Sequence, residues 1–534
     1  MKPMEKIMNG IGLGLLGICF VISLWTVGSR SFREATSDEV HIRFAHWQLE
    51  SGLRDTIDVL AAEYMKLHPN VRITQMTIPE RAYPSWVTTQ LAGGMAPDIV
   101  ELGKGVTAER IARYFEPLGD YIDEVNPYNK GTSLQDVSWR ETFLDNMEGG
   151  TPGFDILMEY YGVPLSMHTV RFFFNAPLYR EIMGDTPYPT TYTELMAFSE
   201  RTLKWSKETG RNVVPIAGSQ YNSPILMERM FASQTQRMSI RQDTTGGLRI
   251  GSGRFSTNFL QGELSWKTPE LRSALELMQD VCKSMPPGFL QMMREDSTFY
   301  FVQERAVATI TGSWDSTSLA TQSGTELAVV NIPIPVPGPE AFGKFVLGPV
   351  SELGLNTSMP FGVPRTSKHK DVAIDFLRFL SSQPINTQFS ALSQWLPSVA
   401  DVPLIPALVP FKPVINGYQQ GIIIPTLGAD SQRAYSTNFH ILADPKRGVD
   451  AFVEELDKRL PTAIKSDLDR SIKAAMESCG RRDGVLAAEL HLAGITLEQP
   501  MPNQGRLAGF FEVQFEQERA AWSNITQLLE LEKR

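Results

Sequence analysis

The sequence predicts an α/β protein with more than one core, and three observations carry that reading. Apolar residues between 40 and 105 switch twice between the spacing of a strand and that of a helix, giving β-α-β-α-β. A second stretch with the same alternation begins near Val170 and closes on Gly312-Ser313-Trp314-Asp315. The chain has 534 residues, 42% hydrophobic and 10% aromatic, enough to bury more than one core.

The N-terminus has a character of its own. Lys2 and Lys6 precede an uncharged run from Ile11 to Gly28, and Arg30 and Arg33 follow it. The run is longer than a signal-peptide core of roughly 7–15 residues and reaches only the short end of a membrane span of about 20. It predicts export, either with cleavage near Val27-Gly28-Ser29 or with residues 11–28 kept as a hydrophobic anchor helix. Cys19 follows Leu16-Gly17-Ile18, where a bulky Ile occupies the position that lipid attachment reserves for a small residue, and it lies within the run.

Val40, Ile42 and Phe44 alternate with His41 and Arg43, as in a half-buried strand. Leu53, Ile57, Leu60, Tyr64 and Leu67 then form one helix face that ends at His68-Pro69-Asn70. Val71 and Ile73 open a second strand. Tyr83, Val87 and Leu91 mark a second helix, closed by Gly93-Gly94, and Asp98 to Leu102 form a third strand. The order predicts a parallel sheet with covering helices. Ligands of open α/β sheets bind beyond the carboxyl ends of the strands, which directs attention to His46-Trp47-Gln48 and to Gly103-Lys104-Gly105. His46 reads more simply as a satisfied structural histidine, and Asp98 as a brace for its strand.

In the second region the apolar run Val170 to Phe174 ends at Asn175, and Thr191 with Glu194 fits a capping box. A helix is expected from about Pro269 to Ser284 and a strand over Arg305 to Thr311. Two stretches read as passages between units. Tyr161-Gly162-Val163-Pro164 leads into the second, and Val329 to Pro339 carries proline at every second position from 333 to 339, which fits an edge strand or an extended spacer. Phe361-Gly362-Val363-Pro364 precedes a helix with Val372, Phe376, Phe379 and Leu380 on one face. A later helix carries Val449, Phe452, Val453, Leu456 and Leu460. From about 470 the pattern is polar and mostly helical, with a break at Pro500-Met501-Pro502.

Composition excludes several classes. A net charge of -10 with no dense Lys/Arg run argues against a nucleic-acid partner, whose recognition needs clustered positive charge. Cys282 continues the face Leu271, Leu275, Met278, which predicts a buried free thiol instead of a disulfide with Cys479. Gly338 to Lys344 formally begins a phosphate-binding loop, but Phe345 replaces the Ser/Thr that would hold magnesium. No His-x-x-x-His, Cys-x-x-Cys or Gly-x-Ser-x-Gly occurs, so no catalytic residue, metal site or cofactor is expected. A glycosidase pair remains open, because two carboxylates can meet across a cleft from any separation in sequence.

The pieces resemble, in order, the extracellular solute-binding proteins of ABC importers, in the family that includes the maltose and other sugar receptors. They are the first strand with its HWQ end, EYMKLHPNVRI, TQLAGGMAPDIVELG, RFFFNAPLYREI with YPTTYTEL, RAVATITGSWD, FGVPRTSKHKDVAIDFLRFLSS, WLPSV, and the helix after DPKRGVDAF. The resemblance covers residues 40 to 470. It implies a bilobal periplasmic-binding-protein fold, type II-like, with two discontinuous α/β lobes joined by a hinge. Residues 38–160 with 338–383 would form lobe 1 and 165–330 with 385–470 lobe 2. Residues 1–37 would be signal peptide or anchor, and 471–534 a helical C-terminal extension.

The same resemblance implies a solute clamped between the lobes. Trp314 matches the Gly-x-Trp position that stacks on sugar in similar receptors, with Asp315 as its polar neighbour. Gln48 and Glu50 lie roughly where the maltose receptor places charged contacts, although with different spacing, and Leu102 stands where that receptor has tryptophan. Leu102 therefore argues against a long-oligosaccharide site of the same shape, and the expected ligand contacts are Trp47, Gln48, Glu50, Lys104, Trp314, Asp315 and Trp395. The implied partners are a small solute, with sugar favoured, and the transmembrane subunits of an importer. The chain is expected to be a monomer outside the cytoplasm, held at the membrane through 11–28 if that run is retained. A membrane-tethered solute sensor using the same lobes, or a saccharide-acting enzyme, are the alternatives.

Overall fold

The computed structural model describes residues 39–494 apart from 153, 158, 244–249, 340–341, 353–356 and 423–426, together with residue 526. The Ile11–Gly28 run and the Pro500-Met501-Pro502 break lie outside the described residues. Among those residues no helix is long and apolar enough to cross a membrane.

Among the described residues ten strands form two sheets: β1 (Val40–His46), β2 (Val71–Thr77), β3 (Ile99–Glu101), β4 (Val163–Met167), β5 (Val170–Asn175), β6 (Val214–Ile216), β7 (Ala306–Gly312), β8 (Leu327–Val330), β9 (Thr357–Gly362) and β10 (Leu396–Pro397). The first sheet has the order β10-β4-β9-β3-β1-β2. β1 runs parallel to β2 and β3, with Val40 opposite Val71 and Phe44 opposite Ile99, as the β-α-β-α-β reading requires. β9 enters antiparallel between β3 and β4. The second sheet has the order β6-β7-β5-β8, with β6 parallel to β7 and the other pairs antiparallel. This is a mixed α/β fold with two sheets, each threaded by separated parts of the chain.

Each sheet has its own core. Helix Ser51–Leu67 buries Leu53, Ile57, Leu60 and Tyr64 against Ile42 and Phe44, together with Phe376 and Phe379 of helix Lys370–Leu380. Leu67, expected on that face, is exposed because it is the last helical residue. In the second core Phe172, Phe174, Leu226, Leu275 and Phe452 meet under helices Tyr192–Thr209, Asn222–Gln242, Pro269–Cys282 and Gly448–Gly494. Cys282 is buried and free, and burial pushes its thiol up to about 12. The long final helix buries Val449, Phe452, Leu456, Leu460, Ile464 and Leu468, so its apolar face runs unbroken to the expected lobe boundary near 470 and the helix continues through it.

The capping box forms as expected. Thr191 Oγ1 accepts the Glu194 N–H at 3.3 Å, and the Glu194 carboxylate accepts the backbone N–H groups of Thr190 and Thr191. Thr191→Ala should lower stability by about 1 kcal/mol, the usual loss of an N-cap hydroxyl, read as a shifted denaturation midpoint.

Four placements differ from the expectation. Tyr161-Gly162-Val163-Pro164 is not the passage between units, because Val163–Met167 is a strand of the first sheet. Its Pro164 lies opposite Pro360, so the two missing N–H donors fall at one register position. The crossing comes later, at His168-Thr169. Residues 385–399 do not belong with the second sheet. Asn386 Nδ2 donates to Leu165 O at 3.0 Å, Phe389 and Val399 enter the first core, and β10 pairs with β4. Residues 346–348 do not join the first sheet, since Leu347 N–H donates to Gln236 Oε1 and Gln236 Nε2 to Gly348 O, on a helix of the second core. Val329 and Val330 lie in β8, an edge strand of the second sheet, but the prolines at 333–339 fall beyond it, and Ile334 bridges Thr191 of the second unit, so Val329 to Pro339 is not the passage between units.

The chain crosses between the two units again between Gly348 and Thr357, and a third time between Val399 and Ile422, and the three crossings are tied together. Arg171, in β5, makes a two-pronged ion pair with Glu352 at 2.8 and 3.0 Å, and both side chains are buried. Arg171 also donates to the carbonyls of Pro410 and Lys412, and Glu352 accepts the Val414 N–H at 2.8 Å. Thr169 Oγ1 donates to Phe411 O at 2.9 Å. Met167 and Leu396 of the first sheet share an apolar cluster with Phe173 and Ala306 of the second.

Candidate functional site

The loops beyond β1 and β3 form one unit on the first sheet. Glu101, the last residue of β3, is fully buried; its carboxylate accepts the Trp47 N–H at 3.1 Å and Gln48 Nε2 at 2.8 Å. Its backbone oxygen accepts the Tyr83 hydroxyl at 2.7 Å. Burial pushes the Glu101 carboxyl up to about 8, with the two hydrogen bonds opposing. Trp47 packs edge-on against Tyr83 with ring centroids 4.8 Å apart. Gly103, at φ +114, keeps the backbone where a Cβ would touch the Trp47 ring at 3.4 Å. Lys104 pairs with Glu80, and burial, then the charge of Arg294 in the other half of the molecule, hold its ammonium below the ordinary value. Glu50 is exposed, and its carbonyl caps helix Ser51–Leu67.

His46 and Asp98 take the structural roles expected of them. His46 is buried with Nε2 2.8 Å from Gln75 Oε1, and burial lowers it to about 4. Asp98 accepts the Arg43 N–H at 3.0 Å and the Ser367 hydroxyl at 2.8 Å.

On the second sheet the chain leaves β7 into a short 3-10 turn, Ser313–Asp315. Gly312 is required there, because any Cβ would sit about 2.1 Å from the Trp314 ring folded over it. Trp314 is partly exposed and meets His168 edge-on at 5.3 Å, so the crossing between sheets forms one wall of its surroundings. Burial, then the charge of Arg229, lowers His168 to about 4, leaving a neutral imidazole at pH 7. Asp315 accepts Arg294 Nη2 at 2.7 and 2.6 Å and the Thr311 hydroxyl at 2.5 Å. The Arg294 guanidinium also lies 4.8 Å from the Tyr221 ring centroid. Tyr221, Arg294, Thr311 and Asp315 line a cavity of 280 Å³ at the carboxyl end of β7.

The two halves meet here. Thr317 Oγ1, just after Asp315, donates to Gln394 Oε1 at 3.1 Å. That contact brings the Trp395 segment beside the Trp314 turn, although Trp395 itself packs partly buried on the first core. Lys104 and Arg294 lie within electrostatic reach of one another. Of the sequence-predicted residues, Trp47, Gln48 and Lys104 cluster on one side and Trp314 and Asp315 on the other. Glu101, His168, Tyr221 and Arg294 were not anticipated. A charged residue inside the apolar run Ile99-Val100-Glu101-Leu102 was the available signal for Glu101; the others become neighbours only through the fold. A larger cavity of 990 Å³, lined by Glu228, Cys282, Tyr435 and His440 among others, contains none of the predicted residues. Among the described residues no group of three or more His, Cys, Asp or Glu side chains is placed to hold a metal ion.

Comparison with known proteins places the fold. The sequence profile of the bacterial extracellular solute-binding protein family matches residues 59–412. An uncharacterised ABC transporter extracellular-binding protein of Pyrococcus horikoshii is 22% identical over 402 residues, spanning 74% of this chain and 80% of the relative. Among solved structures, the apo form of RafE from Streptococcus pneumoniae superimposes with a TM-score of 0.56 at 13% identity, covering 80% of this chain and 98% of that one. The GacH receptor of Streptomyces glaucescens, studied unliganded and with acarbose, gives a TM-score of 0.52 at 14% identity over 80% and 99%. At these identities the structural likeness establishes the fold.

Proposed function

This chain belongs to the bacterial extracellular solute-binding proteins, and we propose that it captures a sugar or oligosaccharide between its two lobes and delivers it to the transmembrane subunits of an ABC importer. It is an extracytoplasmic binding protein. The observation that carries the reading is the presence of a tryptophan, flanked by polar groups, at the carboxyl end of a strand in each sheet: Trp47 with Gln48 and Lys104, Trp314 with Asp315. A pyranose offers an apolar C–H face and a rim of hydroxyls. An indole covers the face, and carboxylates, amides and cations take the rim. Burying on the order of 100 Å² of apolar surface against one indole contributes roughly 2.5 kcal/mol, whereas micromolar affinity needs about 8 kcal/mol. Two indoles and a polar rim reach that range. That RafE binds raffinose and GacH binds acarbose on the same fold supports the solute class.

The lobes would close by rotation about the strip where Arg171, Glu352 and Thr169 tie the crossings together. Residues 11–28 would either be removed or hold the protein at the membrane beside its importer.

Trp314→Ala should weaken sugar binding at least tenfold, about 1.4 kcal/mol, with the apo melting temperature unchanged. A ligand that binds only the native state raises that temperature by mass action, so a thermal-shift panel of mono- and oligosaccharides, polyols and amines identifies the solute. Unchanged affinity in the variant removes Trp314 from the site. Stimulation of ATP hydrolysis by a reconstituted importer tests the delivery step.

A further inference from the structure

We infer that the solute carries an anionic group, a carboxylate or a phosphate on a sugar-sized body, and that Arg229 with His168 receives it beside the face of Trp314. This deepens the function proposed above and rests on it.

One arginine in this neighbourhood has nothing to satisfy it. Arg229 is half-buried on helix Asn222–Gln242, and among the described residues it makes no ion pair and no hydrogen bond. Its neighbours are all engaged. Arg171 holds Glu352, Arg294 holds Asp315, Arg241 holds Glu270, and Arg237 donates to Val346 O. Two carboxylates attract Arg229 without pairing with it: Glu352, whose oxygens are committed to Arg171 and, for one of them, also to the Val414 N–H, and the adjacent Glu228, whose buried carboxyl is pushed up to about 7. A partly desolvated guanidinium left in this condition is costly, and an anion relieves the cost.

Its direction follows from helical spacing. Residues 229, 232 and 236 share a face. Gln236 bonds Leu347 and Gly348 on the crossing segment, and Ala232 approaches Gly421. That face therefore turns toward the crossing that carries Glu352, and the charge of Arg229 is felt at His168, which touches Trp314. Glu228, the adjacent residue, turns instead into the larger cavity. Lys104 and Arg294 add two further cations to the site, each balanced by its own carboxylate, Glu80 and Asp315. Glu50, a predicted contact with no ion pair among the described residues, stands on the first-sheet side. Arg229 is thus a guanidinium on the second-sheet side that, among the described residues, no ion pair or hydrogen bond holds. A guanidinium fork suits a carboxylate or phosphate, the neutral imidazole of His168 supplies one more donor, and the indole takes the sugar ring.

The test is titration calorimetry on the full-length chain and on Arg229→Gln with glucuronate, galacturonate, glucose 6-phosphate and the neutral parents glucose and galactose. At least one acidic sugar should bind tenfold or more tighter than its neutral parent, and the variant should lose that preference while keeping its apo melting temperature. A response to the uronates alone assigns a carboxylate, and to the phosphate ester alone a phosphate. For the unaltered protein the acidic affinity should fall with added salt, which keeps the test decisive if the variant folds poorly. Neutral sugars binding as tightly as acidic ones, with no change in the variant, would overturn this inference and leave the sugar-receptor reading intact. Binding of none of these sugars, with no response in the wider saccharide panel, removes both.

Discussion

Glu352→Ala should cost the protein about 3–5 kcal/mol of stability, the loss expected when one member of a buried ion pair is removed. The penalty is large because Arg171 is 1% exposed and loses its only carboxylate partner among the described residues. Carbonyl contacts from Val170, Pro410, Phe411 and Lys412 remain to it, and carbonyl dipoles do not cancel a full charge. The Val414 N–H also loses its carboxylate acceptor. Arg171→Met combined with Glu352→Met should recover most of the loss, since an apolar pair of similar volume avoids the desolvation of both charges. Urea denaturation followed by circular dichroism reads the midpoints. If the single and double variants denature together at the wild-type midpoint, the pair does not hold the crossings. The pair's position also gives it a role in closure: it joins β5 to the two later crossings, so a hinge without it would be looser as well as less stable.

Much of this arrangement was legible in the sequence, and the failures have physical causes. Periodicity found β1, β2, β3, β5 and β7 because each buries one or both faces in a regular lattice of side chains, and the capping box was recognisable because its two partners are local. β4 was misread as a passage because Gly162 and Pro164 carry the local signature of a break. Only the pairing of Pro164 with Pro360, far away in sequence, makes a strand tolerable there. Helix Gln383–Ser393 and β10 were assigned to the wrong sheet for a related reason. Their place is decided by long-range contacts such as Asn386 with Leu165, which leave no periodic trace. For the site, aromatic residues at strand ends are visible in sequence, so Trp47 and Trp314 were found. Arg229 and His168 were not, because nothing local distinguishes an arginine with a partner from one without.

Glu101 should make stability fall as pH rises from about 4.5 to about 8. Burial moves its carboxyl from the ordinary 4.5 up to about 8, so the folded state holds a proton that the unfolded chain has already released. The stabilisation from the protonated form is complete below 4.5 and is lost as the pH passes 8. Its size is of the order of a few kcal/mol, because each tenfold change in proton affinity between the folded and unfolded states is worth about 1.4 kcal/mol and the hydrogen bonds from Trp47 and Gln48 offset part of the burial. Two histidines act in the opposite sense. His46 and His168 are both lowered to about 4, so they destabilise the fold as pH drops from about 6.5 toward 4. Between about pH 7 and 8 the histidines are mostly neutral in both states, and Glu101 contributes to the decline together with Glu228, whose buried carboxyl is raised to about 7. Glu101→Gln, which stays neutral, should therefore flatten the decline across that window while retaining an acceptor for the Trp47 N–H. Denaturation midpoints measured at half-unit intervals for both proteins give the difference directly. Parallel curves would mean that Glu101 is ionised throughout, and that the Trp47-Gln48 loop rests on a carboxylate instead of a carboxylic acid. The distinction reaches the ligand site, since a charged Glu101 beneath Trp47 and Gln48 would draw cations to the first-sheet wall, whereas a neutral one leaves Lys104 to set the charge there.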